Sequence, residues 1–133
     1  MQACLRFRLN REWYALPIQH VIEVVSLVAI TPLPETLPHV LGAITVRGQT
    51  VTVVDLRLLL NQTPSPLKLT TPLIILSPES GVPLAALVDE VDNVVALPVD
   101  LDVPANTSPL IAGITRYHET VLLVLNVEAL AAH

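Results

Sequence analysis

Positions about 70 residues apart carry matching residues, and this duplication restricts the fold more than any other feature of the chain. At an offset of 71, Gly42 matches Gly113, Pro38 matches Pro109, Asp55 faces Asn126 and Leu59 matches Leu130. At 70, the run His20 to Val25 lies over Glu90 to Val95. A turn glycine, a proline before it and a polar cap after it recur in one order. Two copies are too few for a solenoid, so the expectation is two similar small modules packed together. Two ordinary β-meanders are the simpler alternative.

Apolar residues form 52% of the 133-residue chain and charged residues only 14%. Runs such as Leu73-Ile74-Ile75-Leu76 and Val121 to Leu125 do not alternate with polar residues. In an antiparallel protein such a run needs cover on both faces, one inside its own module and one against its sister. Half of 133 residues would bury too little surface to be comfortably stable alone. The expectation is a single domain over 1–133, with halves roughly 1–62 and 70–133. The terminal strands either stay within their half or are exchanged between halves.

Turn chemistry divides the chain into about ten strands and two short helices. Ala3 to Leu9 and Glu12 to Leu16 form a hairpin about Asn10-Arg11, and Val21 to Ile30 reads as one long extended segment. The Pro-rich stretch Thr31 to Pro38 is a loop. Gly42 to Val46 and Gln49 to Val54 flank Arg47-Gly48, a two-residue hairpin connection in which Gly supplies positive φ. Asp55 caps a short helix over Leu56 to Leu60, so Asp55→Ala should cost about 1 kcal/mol; Asn126 repeats the arrangement. After the linker-like Asn61 to Pro72, strands are expected at Leu73 to Leu76, Val82 to Val88, Val91 to Leu97, Ile111 to Tyr117 and Thr120 to Leu125. The fold class is mainly β, with two five-stranded antiparallel barrels packed together and short helices.

Composition argues against several functions. With net charge −5, six Arg and one Lys, the chain lacks the basic stripe that a nucleic-acid backbone requires. Phe7, Trp13, Tyr14 and Tyr117 are a thin set for base stacking. No apolar run reaches the roughly 18 to 20 residues of a spanning helix, and the N-terminus lacks a signal-peptide pattern, so no membrane insertion and a cytoplasmic location are expected. A single cysteine, Cys4, forms no internal disulfide and fits a reducing compartment. Histidines 20, 39, 118 and 133 lack metal-site spacing, so no metal is expected. Asp89, Glu90 and Asp92 read as solvated turn carboxylates. Neither a nucleophile elbow nor a phosphate cradle is present, so neither catalysis nor a cofactor is expected, and a folded protein partner is favoured.

The segment Gly42-Ala43-Ile44-Thr45-Val46-Arg47-Gly48 followed by Gln49 to Arg57 resembles the signature of the CheW family of chemotaxis coupling proteins. The likeness extends through Tyr14 to Ile18, Val21 and Glu23, the Pro-rich loop, Leu87-Val88-Asp89, Ile111 to Ile114 and Val121 to Leu130. Thr45 and Thr52 depart from the Asn and Pro common in that family, and the lack of long terminal extensions fits a minimal member.

The resemblance implies two SH3-like barrels and an adaptor without catalysis. Such an adaptor joins the cytoplasmic tips of methyl-accepting chemoreceptors to the regulatory domain of a CheA-type histidine kinase, with weak self-association in arrays. It also implies partner contacts at Val21, Glu23, Arg47 and Gly48, for which the plain structural alternatives are core packing for Val21 and a turn for Gly48. The other reading is an SH3-like or oligonucleotide-binding barrel with an unrelated protein or nucleic-acid ligand.

Overall fold

The computed structural model describes residues 1–34, 36–79 and 81–132; Glu35 of the Pro-rich loop and His133 lie outside the described residues. Ten strands occur among them. They are β1 (Gln2–Leu9), β2 (Glu12–Pro17), β3 (Val21–Ser26), β4 (Val40–Val46), β5 (Gln49–Asp55), β6 (Pro72–Leu76), β7 (Leu84–Leu87), β8 (Glu90–Leu97), β9 (Ile111–Tyr117) and β10 (Thr120–Leu125). Helix α1 (Leu56–Leu59) follows β5, and α2 (Val127–Ala132) follows β10. A single 3-10 turn, Ile18–His20, leads into β3.

The strands form two five-stranded sheets. The first runs β8-β1-β2-β10-β9, the second β3-β6-β7-β5-β4. Thus β1 and β2 are paired with strands from the far end of the chain, while the second sheet is built from one continuous stretch. Hairpins make β1–β2, β4–β5, β6–β7 and β9–β10 antiparallel. Where strands from different halves meet, no hairpin constrains direction, and β2–β10 and β5–β7 are parallel. The expected antiparallel barrels are therefore mixed sheets.

Neither sheet closes through a full ladder. A single antiparallel bridge, Thr31 to Ala43, ties the segment after β3 to β4, and Asp102 to Ile114 does the same after β8. Both bridges fall at the 71-residue offset. So do Asp55 N–H to His39 C=O (2.8 Å) and Asn126 N–H to Leu110 C=O (2.9 Å). The Pro-rich segments around these bridges lack the N–H donors a continuous ladder would need. Gly42, at φ 144°, is required at this seam: a Cβ there would lie 2.2 Å from the Thr31 carbonyl oxygen. Gly113 repeats the close approach, its notional Cβ being 2.3 Å from Leu101 Cβ.

Two strands are shorter than the sequence pattern suggested. β3 ends at Ser26: Leu27 N–H still reaches the in-register Thr71 carbonyl (2.7 Å), but Thr71 N–H turns away to the Lys68 carbonyl (3.0 Å), so the pair is not completed. β7 begins at Leu84 and not at Val82, because Pro83 has no donor for the ladder.

Three apolar clusters hold the sheets. The largest lies between them and includes Leu5, Phe7, Leu9, Tyr14, Leu16, Ile74, Leu76 and Leu125. A second lines the inner face of sheet two, with Leu73, Ile75, Ala85 and Leu87. A third lines sheet one, with Cys4, Ala15, Leu122 and Val124. Alternate residues of β6 and β10 thus enter different clusters, which is why those strands are apolar on both faces. At about 25 cal/mol per Å² of apolar surface, burial on both faces makes β6 and β10 large contributors to stability.

Candidate functional site

Strand β3 and the β4–β5 hairpin lie at opposite edges of sheet two. The sheet curls until these edges approach, and two side chains span the gap. Arg47 donates from Nε (3.1 Å) and Nη2 (2.6 Å) to Oε2 of Glu23. The hydrogen bond and charge of Glu23 raise the Arg47 pKa above its ordinary value. Arg47 nevertheless remains open to solvent, with its side chain 78% exposed, while that of Glu23 is 22% exposed. So exposed a pair contributes little to folding. It fixes a direction for charge at the tip.

The tip itself is a tight two-residue turn. Arg47 has φ 49° and Gly48 φ 79°, the doubly positive combination that matches strand twist. Gly48 has nothing near the position of a Cβ, so its need is conformational and not steric. The corresponding turn between β9 and β10 uses His118 (φ 48°) and Glu119 (φ 66°) without a glycine. The two tips share a backbone and differ in charge.

Beside the Arg47 tip runs a groove of about 470 Å³, formed on one side by Val28, Ala29, Thr31 and Leu33 and on the other by Ala43 to Thr45 and Thr50. It follows the open seam of sheet two. Val28 and Leu33 are exposed at its margin, and Ile22 and Val24 are exposed on the outer face of β3. Glu23, Arg47 and Gly48 therefore come together at one end of sheet two. Val21 is two residues away, and its half-buried side chain packs against the core between the sheets. The apolar groups that β3 offers to solvent are Ile22 and Val24.

A second constellation centres on Arg57, for which the sequence allowed pairing with a nearby carboxylate but showed neither its burial nor its full set of partners. Arg57 is 1% exposed and grips Asp55 with two parallel bonds, Nε to Oδ1 and Nη2 to Oδ2, both 3.0 Å. Its Nη1 donates to Asp89 Oδ1 (3.0 Å), Ser65 Oγ (2.7 Å) and the Ser65 carbonyl (3.1 Å). Burial works against the charged guanidinium, but the hydrogen bonds and charges of Asp55, then of Asp89, outweigh it and raise the pKa. Asp89 Oδ2 also accepts from Asn10 N–H (2.6 Å), so the clasp joins α1, the linker, the β7–β8 junction and the β1–β2 hairpin.

The expectation of solvated turn carboxylates is corrected for Asp89 and holds for Glu90, whose side chain remains 53% exposed. Asp89 is enclosed in the clasp, Glu90 pairs with Arg8 (2.9 Å) and Asp92 with Arg6 (3.2 Å). The polar spacing Asp55-Leu56-Arg57 was the available signal, because a capping Asp two residues before an Arg can bind both the helix N–H and the guanidinium. The third partner, Asp89, is 32 residues away and gave no local sign.

The described residues contain no group of three or more His, Cys, Asp or Glu side chains able to hold a metal, and no helix long and apolar enough to cross a membrane. Burial pushes the Cys4 thiol pKa up, which disfavours the reactive thiolate. Tyr14 is pushed up to about 12 by burial and then by Glu12, with the Gln62 hydrogen bond opposing. These groups are suited to packing and pairing.

Comparison with known proteins gives the same direction. A solved structure, that of the scaffolding protein TtCheW from Thermoanaerobacter tengcongensis, superposes with a TM-score of 0.86 over 94% of this chain and 88% of that one, at 25% identity. The chemotaxis protein CheW of Helicobacter pylori is 38% identical over 52 residues, 39% of this chain and 32% of the relative, so the match spans about a third of that protein. The model of the CheW-like domain matches residues 3–133. With its two five-stranded sheets and continuous match, the chain belongs to the CheW-like domain family, a family of non-catalytic scaffolding adaptors.

Proposed function

We propose that this chain couples transmembrane chemoreceptors to a CheA-type histidine kinase on the cytoplasmic side of receptor arrays. In this reading it binds the kinase's regulatory domain and the receptors' cytoplasmic tips, with weak self-association between copies. The observation that carries the reading is the exposed Arg47–Glu23 pair beside the open apolar seam of sheet two, on a CheW-like fold. A groove with apolar margins suits a helical receptor tip, and a fixed guanidinium at its end suits an acidic group on the partner. Gly48 keeps the turn that presents Arg47, and Val21 sets the position of β3 from the core side. Signalling contacts of this kind bury ~800 Å² per partner or less, so reversible binding gains strength from many copies.

The test is co-sedimentation with receptor fragments and kinase. Arg47→Ala should keep the wild-type melting temperature and lose about tenfold in association, the size expected for one charge-assisted contact. The exchange Arg47→Glu with Glu23→Arg retains an internal ion pair but inverts the charge at the tip, and it should stay defective. Full association by Arg47→Ala, or rescue by the exchange, would show that the pair serves only the protein itself.

A further inference from the structure

Of the seven Lys and Arg side chains, Arg6, Arg8, Arg47 and Arg57 are each tied to a carboxylate. Among the described residues Arg11, Lys68 and Arg116 form no ion pair, and Arg11 and Lys68 line the same groove. That groove, about 390 Å³, lies between the β1–β2 hairpin tip and the linker that joins the two halves of the chain. It shares no residue with the Arg47 site.

The groove is built and not accidental. On one wall Asn10 is held by Asp89 through its N–H and by Gln62 and the Thr63 carbonyl through its amide, both 3.0 Å. On the other, Ser65 is fixed by Arg57, and Lys68 N–H donates to Thr71 Oγ1 (2.8 Å). Of the acidic residues nearby, Asp89 and Glu90 are already committed, and Glu12, next to Arg11, lines the neighbouring cleft and, among the described residues, accepts only from the Tyr14 hydroxyl (3.5 Å). Asp89 accepts from Arg57 and Ser65 at Oδ1 and from Asn10 at Oδ2, and Glu90 is engaged by Arg8. Two uncommitted cations thus face a preorganised cleft in a protein of net charge −5. Preformed walls reduce the ordering cost of binding, and uncompensated positive charge selects an anionic partner.

We propose that this groove binds an acidic segment of a partner protein, with Arg11 and Lys68 taking carboxylates from either wall. A nucleic-acid strand would meet the repulsion of the whole chain's charge, and a peptide carrying a few carboxylates meets only the local field. The site goes beyond the coupling role and does not depend on it.

The probe is a fluorescent Gly/Ser peptide carrying three glutamates, titrated into the full-length protein at low salt and followed by anisotropy and by amide chemical shifts. Binding should weaken with salt, and the shifts should center on Asn10, Arg11, Ser65 and Lys68. The double variant Arg11→Glu and Lys68→Glu should bind about tenfold more weakly at an unchanged melting temperature. Arg116→Glu, the same kind of charge change outside the groove, should leave affinity within about twofold. The proposal is overturned by absent binding, by equal loss in Arg116→Glu, or by shifts that map elsewhere. Displacement by inorganic phosphate at matched ionic strength would also overturn it, in favour of a small-anion pocket.

Discussion

Asp55 and Asn126 occupy the same place in the two halves, yet their side chains carry different loads. Each accepts a backbone N–H at the start of a short helix, Asp55 from Arg57 (3.0 Å) and Asn126 from Ala129 (3.1 Å). Asp55 is also 2% exposed and neutralises a buried guanidinium, whereas Asn126 faces solvent. The cost of about 1 kcal/mol expected for a cap alone holds for Asn126→Ala. Asp55→Ala removes one partner of a buried pair and should cost about 3 kcal/mol or more. Equilibrium urea denaturation of the two variants reads the contrast; equal losses would mean that Arg57 finds sufficient compensation in Asp89 and Ser65. The cap was legible because an Asp before an apolar helical run has one common use. That Arg57 could pair with a nearby carboxylate was legible too, but its burial was not, because that depends on the linker folding over it.

Among the elements, β4 depends, as β9 does, on a segment outside its own ladder. Gly42 lets the strand pass beneath the segment after β3, and the Thr31–Ala43 bridge follows directly from that approach. Gly42→Ala combines an unfavourable φ with a 2.2 Å collision against backbone, so it should lower stability by about 2 to 4 kcal/mol and widen the seam beside the Arg47 tip. Gly81→Ala, with open space around it, is the control and should stay within about 0.5 kcal/mol of wild type. Differential scanning calorimetry on both decides; a mild Gly42→Ala would show that the Pro-rich segment moves aside easily. Most elements were readable because β-branched runs and turn residues act locally. The errors fell where a donor was missing or diverted, at Pro83 and at Thr71, and where strand direction was set by assembly between β2 and β10.

For the molecule as a whole, the order β1 to β5 with α1 is repeated by β6 to β10 with α2, but the sheets do not follow that division. Each sheet combines two strands of one half with three of the other. The duplication was visible in sequence because glycines and caps keep their spacing, whereas pairing between halves leaves no mark on local residue patterns. A chain cut between Pro66 and Leu67 should therefore give fragments that melt without cooperativity alone and regain a cooperative transition when mixed. Circular dichroism tests this, and a sharp transition in either isolated fragment would contradict it. Synthesis from the N-terminus meets the same topology in time. A nascent chain that has reached Leu87 holds every strand of one sheet but only β1 and β2 of the other, so the first ribbon translated is the last to acquire its neighbours.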